Sequence, residues 1–463
     1  MRLQRLLSGA LAVLTATLIA VTSAVPAHAI DFTIDAATGK PVLVSKSSCT
    51  TLASKPRAFE AWFNTDDMEE RGYLDAKNDT PWPYATKIAQ VICGAKKGAT
   101  IKIAMYFVRA IGSKSRPESD PEQIWGALEY VARKRGVKVT LIYDDATPAA
   151  AERNITKRAK GWMKVRKCYE GCFNLNTTDA ASNSLSINHE KFMTISSTIW
   201  GGPIVYSSSG MFARSQIRAY WQESSLLFGD KQLYKLMKDR FDNMYICATS
   251  RVRCSKGDFV NTAYKGRTSL RLERGIWVDK KYRHYTDAGR GTTVSFSPQP
   301  QTAPEFYVQQ LSNVDCTVDS KIRIAMYHLT GSRAETFVKR LRELKRAGCD
   351  VRVVLSPEAG AVVIEKSVVK LIKKYGLTNR VLCGVNPIHT KLVLITPATS
   401  NAGVAMFGTM NMSTAGMRYS DEHTITIDTR RMSAKYKEDA ERVIGVYAQG
   451  WDAMSQGAKK CVA

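Results

Sequence analysis

The chain has 463 residues, with 67 Lys and Arg against 42 Asp and Glu, for a formal charge of +25. That length accommodates two domains or one large duplicated domain. The positive excess favours anionic partners, nucleic acid, acidic lipid or a phosphorylated polymer, without choosing among them.

Arg2 and Arg5, the apolar run from Leu6 to Val21 and the small-residue end Ala27-His28-Ala29 predict a secretory signal peptide cut after Ala29, and hence a secreted protein. Nothing downstream is apolar for long enough to cross a bilayer. All ten Cys follow the leader, and an even count in an exported chain predicts disulfides. Cys168 with Cys172, and Cys247 with Cys254, are close enough for local bridges; the pairing of the other six stays open. Zinc at Cys168-Tyr-Glu-Gly-Cys172 lacks a second Cys/His pair at finger spacing, so no metal is expected.

Ala58 to Phe63 predicts a strand, Asn64 to Asp67 a loop, and Thr86 to Val91 a helix. The strand Ile101-Lys-Ile-Ala-Met-Tyr-Phe-Val108 comes next. A helix then starts at Asp120-Pro121, carries Ile124, Leu128 and Val131, and ends at Gly136. Val137 to Tyr143 is again a strand. Arg153, Lys157, Arg158, Lys160, Lys164, Arg166 and Lys167, interleaved with Trp162, read as a solvated helix face or a nucleic-acid groove.

This series recurs. Ile322-Arg-Ile-Ala-Met-Tyr-His-Leu329 repeats the earlier strand at an offset of 221. Ser332 and Glu335 form a capping-box pattern ahead of Phe337, Leu341 and Leu344, Gly348 ends that helix, and Val351 to Leu355 repeats the next strand. Strand, helix, strand implies parallel pairing in an α/β layer structure. The organisation is therefore a signal peptide (1–29), a first unit (30–255), a linker rich in Lys, Arg and Gly (256–290) and a second unit (291–463).

One pair of motifs stands out in the two units. His189-Glu190-Lys191 returns as His389-Thr390-Lys391. Period-two alternation puts His and Lys on one face of each strand. A lone His-x-Lys is expected by chance, but the context is duplicated too. Nineteen positions after each His stand Ser208-Ser209-Gly210-Met211 and Gly408-Thr409-Met410-Asn411, and Glu223 and Glu422 open further strands. Met105 and Met326, with their neighbouring tyrosines, read as core. His328 reads as cleft-side or packing, and His284 and His423 have no suggestive spacing.

This arrangement resembles the phospholipase D superfamily, whose motif is His-x-Lys, four residues, Asp, then Gly-Ser-x-Asn. Ser196 and Thr396 stand where the family has Asp, and Met211 replaces the first Asn. The resemblance implies two α-β-α sandwich lobes about a pseudo-twofold axis, with both His-x-Lys strands facing one cleft. It also implies phosphodiester cleavage through a phosphohistidine, without metal or cofactor. His189 is then the nucleophile, His389 the general acid, and Lys191 and Lys391 neutralise the phosphate oxygens. Glu223 and Glu422 accept Nδ1–H from the histidines, and Asn411, Ser208, Ser209 and Thr409 contact substrate. Whether each carboxylate serves its own half or the other is left open. A phospholipid head group is the leading substrate. The alternatives are nuclease activity, or non-catalytic binding of phosphate polymers or acidic membranes. The duplication removes the need for a dimer, so a monomer is expected.

Overall fold

The computed structural model describes residues 33–34, 41–42, 49, 54–64, 83–108, 120–175, 186–213, 220–259, 270–281, 283–286, 289–357 and 364–461. The signal-peptide reading lies outside them. Thr33–Ile34 pairs antiparallel with Pro41–Val42 in a unit of its own, Met1–Leu43. The other unit, Val44–Ala463, contains both halves of the duplication.

In the first half the elements are β1 (Phe59–Phe63), α1 (Pro83–Cys93), β2 (Thr100–Met105), α2 (Asp120–Arg135), β3 (Lys138–Asp144), α3 (Ala149–Ala159), β4 (Met163–Cys168), β5 (Lys191–Ile195), β6 (Ile204–Ser208), β7 (Glu223–Phe228) and α4 (Lys231–Thr249). Among the described residues they form a seven-stranded sheet in the order β1-β7-β6-β5-β2-β3-β4. β2, β3 and β4 run parallel, and the remaining pairings are antiparallel. β2 shows why these residues make a central strand: Ile101, Ile103 and Met105 enter one core while Ala104 enters another. Lys102, on the second side, pairs with Asp242 of α4.

The second half comprises β8 (Arg283–Tyr285), β9 (Arg290–Ser297), α5 (Phe306–Ser312), β10 (Lys321–Met326), α6 (Gly331–Arg346), β11 (Asp350–Leu355), α7 (Lys366–Lys374), β12 (Val381–Cys383), β13 (Leu392–Thr396), β14 (Val404–Gly408), β15 (Glu422–Met432), α8 (Ala434–Ser455) and β16 (Lys459–Lys460). Its sheet runs β8-β9-β15-β14-β13-β10-β11-β12-β16. The stretch β15-β14-β13-β10-β11-β12 thus repeats β7-β6-β5-β2-β3-β4, so the duplication read in the sequence is a duplication of sheet topology.

Two sequence expectations change. Residues 256–290 are more than a linker. Leu270–Glu273 and Ile276–Asp279 pair as a hairpin, and β8 joins the second sheet. The turn suits a tight hairpin, with Arg274 at φ 49° and Gly275 at φ 78°. Composition hid it, because the Lys/Arg/Gly content masked a short alternation of Leu, Ile and Val. Ser332 and Glu335 also form no capping box: α6 starts at Gly331 after Thr330, with no side-chain cap. The C-terminal glycines behave as read, Gly136 at φ 62° and Gly348 at φ 97° ending α2 and α6 in the left-handed region.

All ten cysteines are paired: Cys49–Cys93, Cys168–Cys172, Cys247–Cys254, Cys316–Cys349 and Cys383–Cys461. The lobes are not independent beads. One apolar core runs through both, taking Phe59, Phe192 and Trp221 from the first and Ile388, Phe407 and Trp451 from the second. α8 lies against β1 of the first lobe, where Arg442 donates to the Phe59 carbonyl (2.8 Å) and Asp439 accepts from the Ala58 N–H (3.0 Å).

Candidate active site

β5 begins at the lysine of its motif, Lys191, and β13 at Leu392, one residue past Lys391, so both histidines sit just before a central strand, where the lobes meet. The cross-lobe pairing is reciprocal. Asn188 bridges to Asp421 and Ile388 to Trp221, each in parallel register. The His189 N–H donates to the Asp421 carbonyl (2.9 Å), and the His389 N–H to that of Trp221 (2.8 Å). Each motif is thereby strapped to the segment preceding the other lobe's glutamate, as an approximate twofold requires.

The two imidazole rings come to 6.1 Å between centroids, each residue 6% exposed. Lys191 Nζ donates to the His189 carbonyl (2.7 Å) and Lys391 Nζ to the His389 carbonyl (2.6 Å). Both lysines are fully buried. Burial, followed by the neighbouring ammonium groups, holds both imidazoles well below their usual pKa. Burial and Lys391 also hold Lys191 well below its own. Burial is the common cause because removing a charge from water disfavours it most.

The carboxylates serve the opposite lobe, and not equivalently. His189 Nδ1 lies 3.2 Å from Glu422 Oε2. His389 Nδ1 instead lies 2.7 Å from the Ser209 carbonyl. A carbonyl only accepts, so a proton on that nitrogen satisfies it, with Lys391 Nζ 3.1 Å from the same atom. Glu223 therefore does not take Nδ1–H from a histidine, as the sequence reading had it. It stands one bond further back, accepting from Ser209 Oγ (2.5 Å) and from the Lys391 N–H (3.5 Å). Burial raises its carboxyl to about 7, and raises that of Glu422 well above the usual range.

The hydroxyls expected to meet substrate are engaged elsewhere. Ser208 Oγ donates to the Glu223 carbonyl (2.9 Å) and neighbours Tyr84 Oη and Ser224 Oγ inside the first lobe. Ser209 Oγ is held by Glu223, and Thr409 Oγ1 accepts from the His423 N–H (3.0 Å). Asn411 differs, since its Oδ1 is buried with no hydrogen-bond partner among the described residues. Ser196, in the position of the family's aspartate, accepts the Thr100 N–H (2.9 Å) past the far end of β5, roughly 16 Å of strand from Lys191. Replacing that aspartate leaves the histidine pair untouched.

Several residues here escaped the sequence reading. Met105 and Met326 are core, but the tyrosines after them are not. Tyr106 packs edge-on to His189 at 5.2 Å and Tyr327 against His389 at 4.9 Å, both half-buried, with the lysines 5.4 and 5.3 Å from their ring centroids. His328 stacks on Tyr327 at 4.2 Å. Asp144 accepts the Asn188 N–H at 2.7 Å, and its carboxyl is raised to about 8, chiefly by burial. His284 is structural, with Nε2 2.7 Å from Asp279. His423 is fully buried across the lobe boundary, Nδ1 2.5 Å from Glu190 Oε2 and Nε2 2.8 Å from Ser207 Oγ. The repeat itself signals Tyr106 and Tyr327. Nothing local signals His423.

A family model described as cardiolipin synthase, phospholipase D-like domain, matches residues 311–444. The match falls within the second lobe. Phosphatidylserine synthase of Haemophilus influenzae superposes with a TM-score of 0.54 at 11% identity, over 87% of each chain. That likeness shows a shared two-lobed fold over most of the chain. Yeast tyrosyl-DNA phosphodiesterase matches at a TM-score of 0.42 and 9% identity, over 75% of this chain and 87% of its own. Nuc of Salmonella typhimurium, a phospholipase D family member, matches at 0.28 and 17% identity, over 37% of this chain and 98% of its own. No curated protein sequence matches significantly.

Proposed function

We propose that this phospholipase D-like protein is a secreted phosphodiesterase cleaving phospholipid head groups. The observation that carries the chemistry is the pair of imidazoles 6.1 Å apart with a lysine beside each. A phosphodiester repels nucleophiles and has a poor leaving group, and two histidines in different protonation states answer both problems. His189 attacks phosphorus through Nε2 while Glu422 faces its Nδ1 and stabilises the cation that develops. His389, with Nδ1–H on the Ser209 carbonyl, gives its Nε2 proton to the leaving oxygen as the phosphorus–oxygen bond breaks. Water then attacks the phosphohistidine, His389 takes its proton, and the phosphorus–nitrogen bond is released. An alcohol in place of water yields a transferred head group. Lys191, Lys391 and Asn411 meet the non-bridging oxygens, and an anionic substrate favours the charged form of the buried lysines. The substrate choice rests on the signal-peptide pattern and on the two lobes carried in one chain.

Nuclease activity is the second reading, favoured by Arg153, Lys157, Lys160, Lys164 and Arg166, all exposed on α3, at its C-terminal end and along the edge strand β4. The protein, assayed in EDTA against phosphatidylcholine vesicles and plasmid DNA, separates the two: head-group release supports the lipase and nicking the nuclease. His189→Ala and His389→Ala each lower turnover at least about a thousandfold. Activity that vanishes with EDTA contradicts the histidine mechanism.

A further inference from the structure

The two histidines are equivalent by sequence repeat and inequivalent by environment. Three consecutive side chains of the second lobe reach into the first around His189. Asp421 accepts the Cys172 N–H (2.5 Å), Glu422 faces His189 Nδ1, and His423 bonds both Glu190 and Ser207. Glu190 is the middle residue of the motif, so the contacts 189–422 and 190–423 are adjacent rungs on opposite faces of the same two backbones. Arg240 of α4 closes the lower rung, Nε to Glu190 Oε1 (3.1 Å), with its guanidinium 4.4 Å from the Phe173 ring. All four side chains, Glu190, Arg240, His423 and Ser207, are buried. Burial pushes the Glu190 carboxyl up, but His423 and Arg240 outweigh it and hold it below its usual range.

The other side of the pseudo-twofold has no such rung. Thr390 replaces Glu190 and bonds the Trp221 carbonyl (3.1 Å), while Ser224 replaces His423 and bonds Ser208, Tyr84 and Tyr206 within its own lobe. A buried carboxylate shared between an imidazole and a guanidinium is a costly way to add stability. Here it spans two lobes at the residue next to His189.

We propose that Glu190 and His423 are a positioning pair for His189, fixing its ring against Glu422 and so dividing the roles of nucleophile and acid between the lobes. The assignment rests on the phosphodiesterase reading, and the test separates the two. His423→Ala removes the rung. His423→Asn keeps a donor where Nδ1 stood and retains the bond to Glu190. With bis(p-nitrophenyl) phosphate, His423→Ala lowers kcat by roughly ten- to a hundredfold at unchanged KM, as expected for a misplaced nucleophile, and His423→Asn restores most of it. The full chain with nitrogen-15-labelled histidine supplies the second readout. In His423→Ala the ring signals of His189 move and those of His389 stay, whereas general loosening moves both. Wild-type kcat in His423→Ala, or ring signals that shift together or not at all, overturns the proposal. Should the wild-type protein turn over no phosphodiester, the proposed function falls, and the positioning pair is judged on the ring signals alone.

Discussion

His189 and His389 owe their chemistry to burial. Both imidazoles are held well below their usual pKa near 6.5, by desolvation first and by Lys191 and Lys391 next. The nucleophile must be neutral and the acid protonated, so both limbs of the kcat/KM profile belong on the acid side of 6.5. A bell centred above pH 8 contradicts this assignment. Asp144 makes a second test at the same scale. Its folded carboxyl is raised to about 8 against about 3.9 unfolded, so from about pH 4 to about pH 8 the folded state keeps a proton that the unfolded chain has lost. Its contribution to stability therefore falls as pH rises through that window and is flat above it. In denaturant titrations, wild type loses ground to Asp144→Asn over that range, and a pH-independent difference sinks the argument.

At the level of elements, helix and strand placement was readable because each depends on neighbours in sequence. α2 and α6 show helical spacing and glycine stops, and β2 and β10 are copies of one strand. Elements whose signal was weak were missed, as with the hairpin at 270–279, where alternation is only four residues long on each side. The packing of α8 on β1 is likewise invisible locally. At Gly450 a Cβ would fall 2.2 Å from the Phe63 ring, so this helix position admits only glycine while the ring stays in place. Gly450→Ala should cost about 1–3 kcal/mol by overpacking, measured as a lower denaturation midpoint at unchanged slope. An unchanged midpoint shows that the ring swings aside freely.

For the whole molecule, the shared core makes the lobes interdependent. Residues 44–255 expressed alone would expose Phe59, Phe192 and Trp221 on the face that Ile388, Phe407 and Trp451 cover. Such a fragment should lack a cooperative thermal transition, and one that melts sharply near the full-length midpoint contradicts the shared core. The duplication, the paired His-x-Lys motifs and the α/β layering are properties of the chain read in one dimension, since repeats and periodicities survive without knowledge of partners. The partners themselves came only with folding. Glu422 meets His189 and Glu223 stands behind His389, Ser208 and Thr409 turn inward, and His423 joins Glu190, because each contact spans either roughly two hundred residues or a strand pairing chosen by the shared core. Local pattern specifies which face a side chain takes, and the tertiary structure alone decides what it finds there.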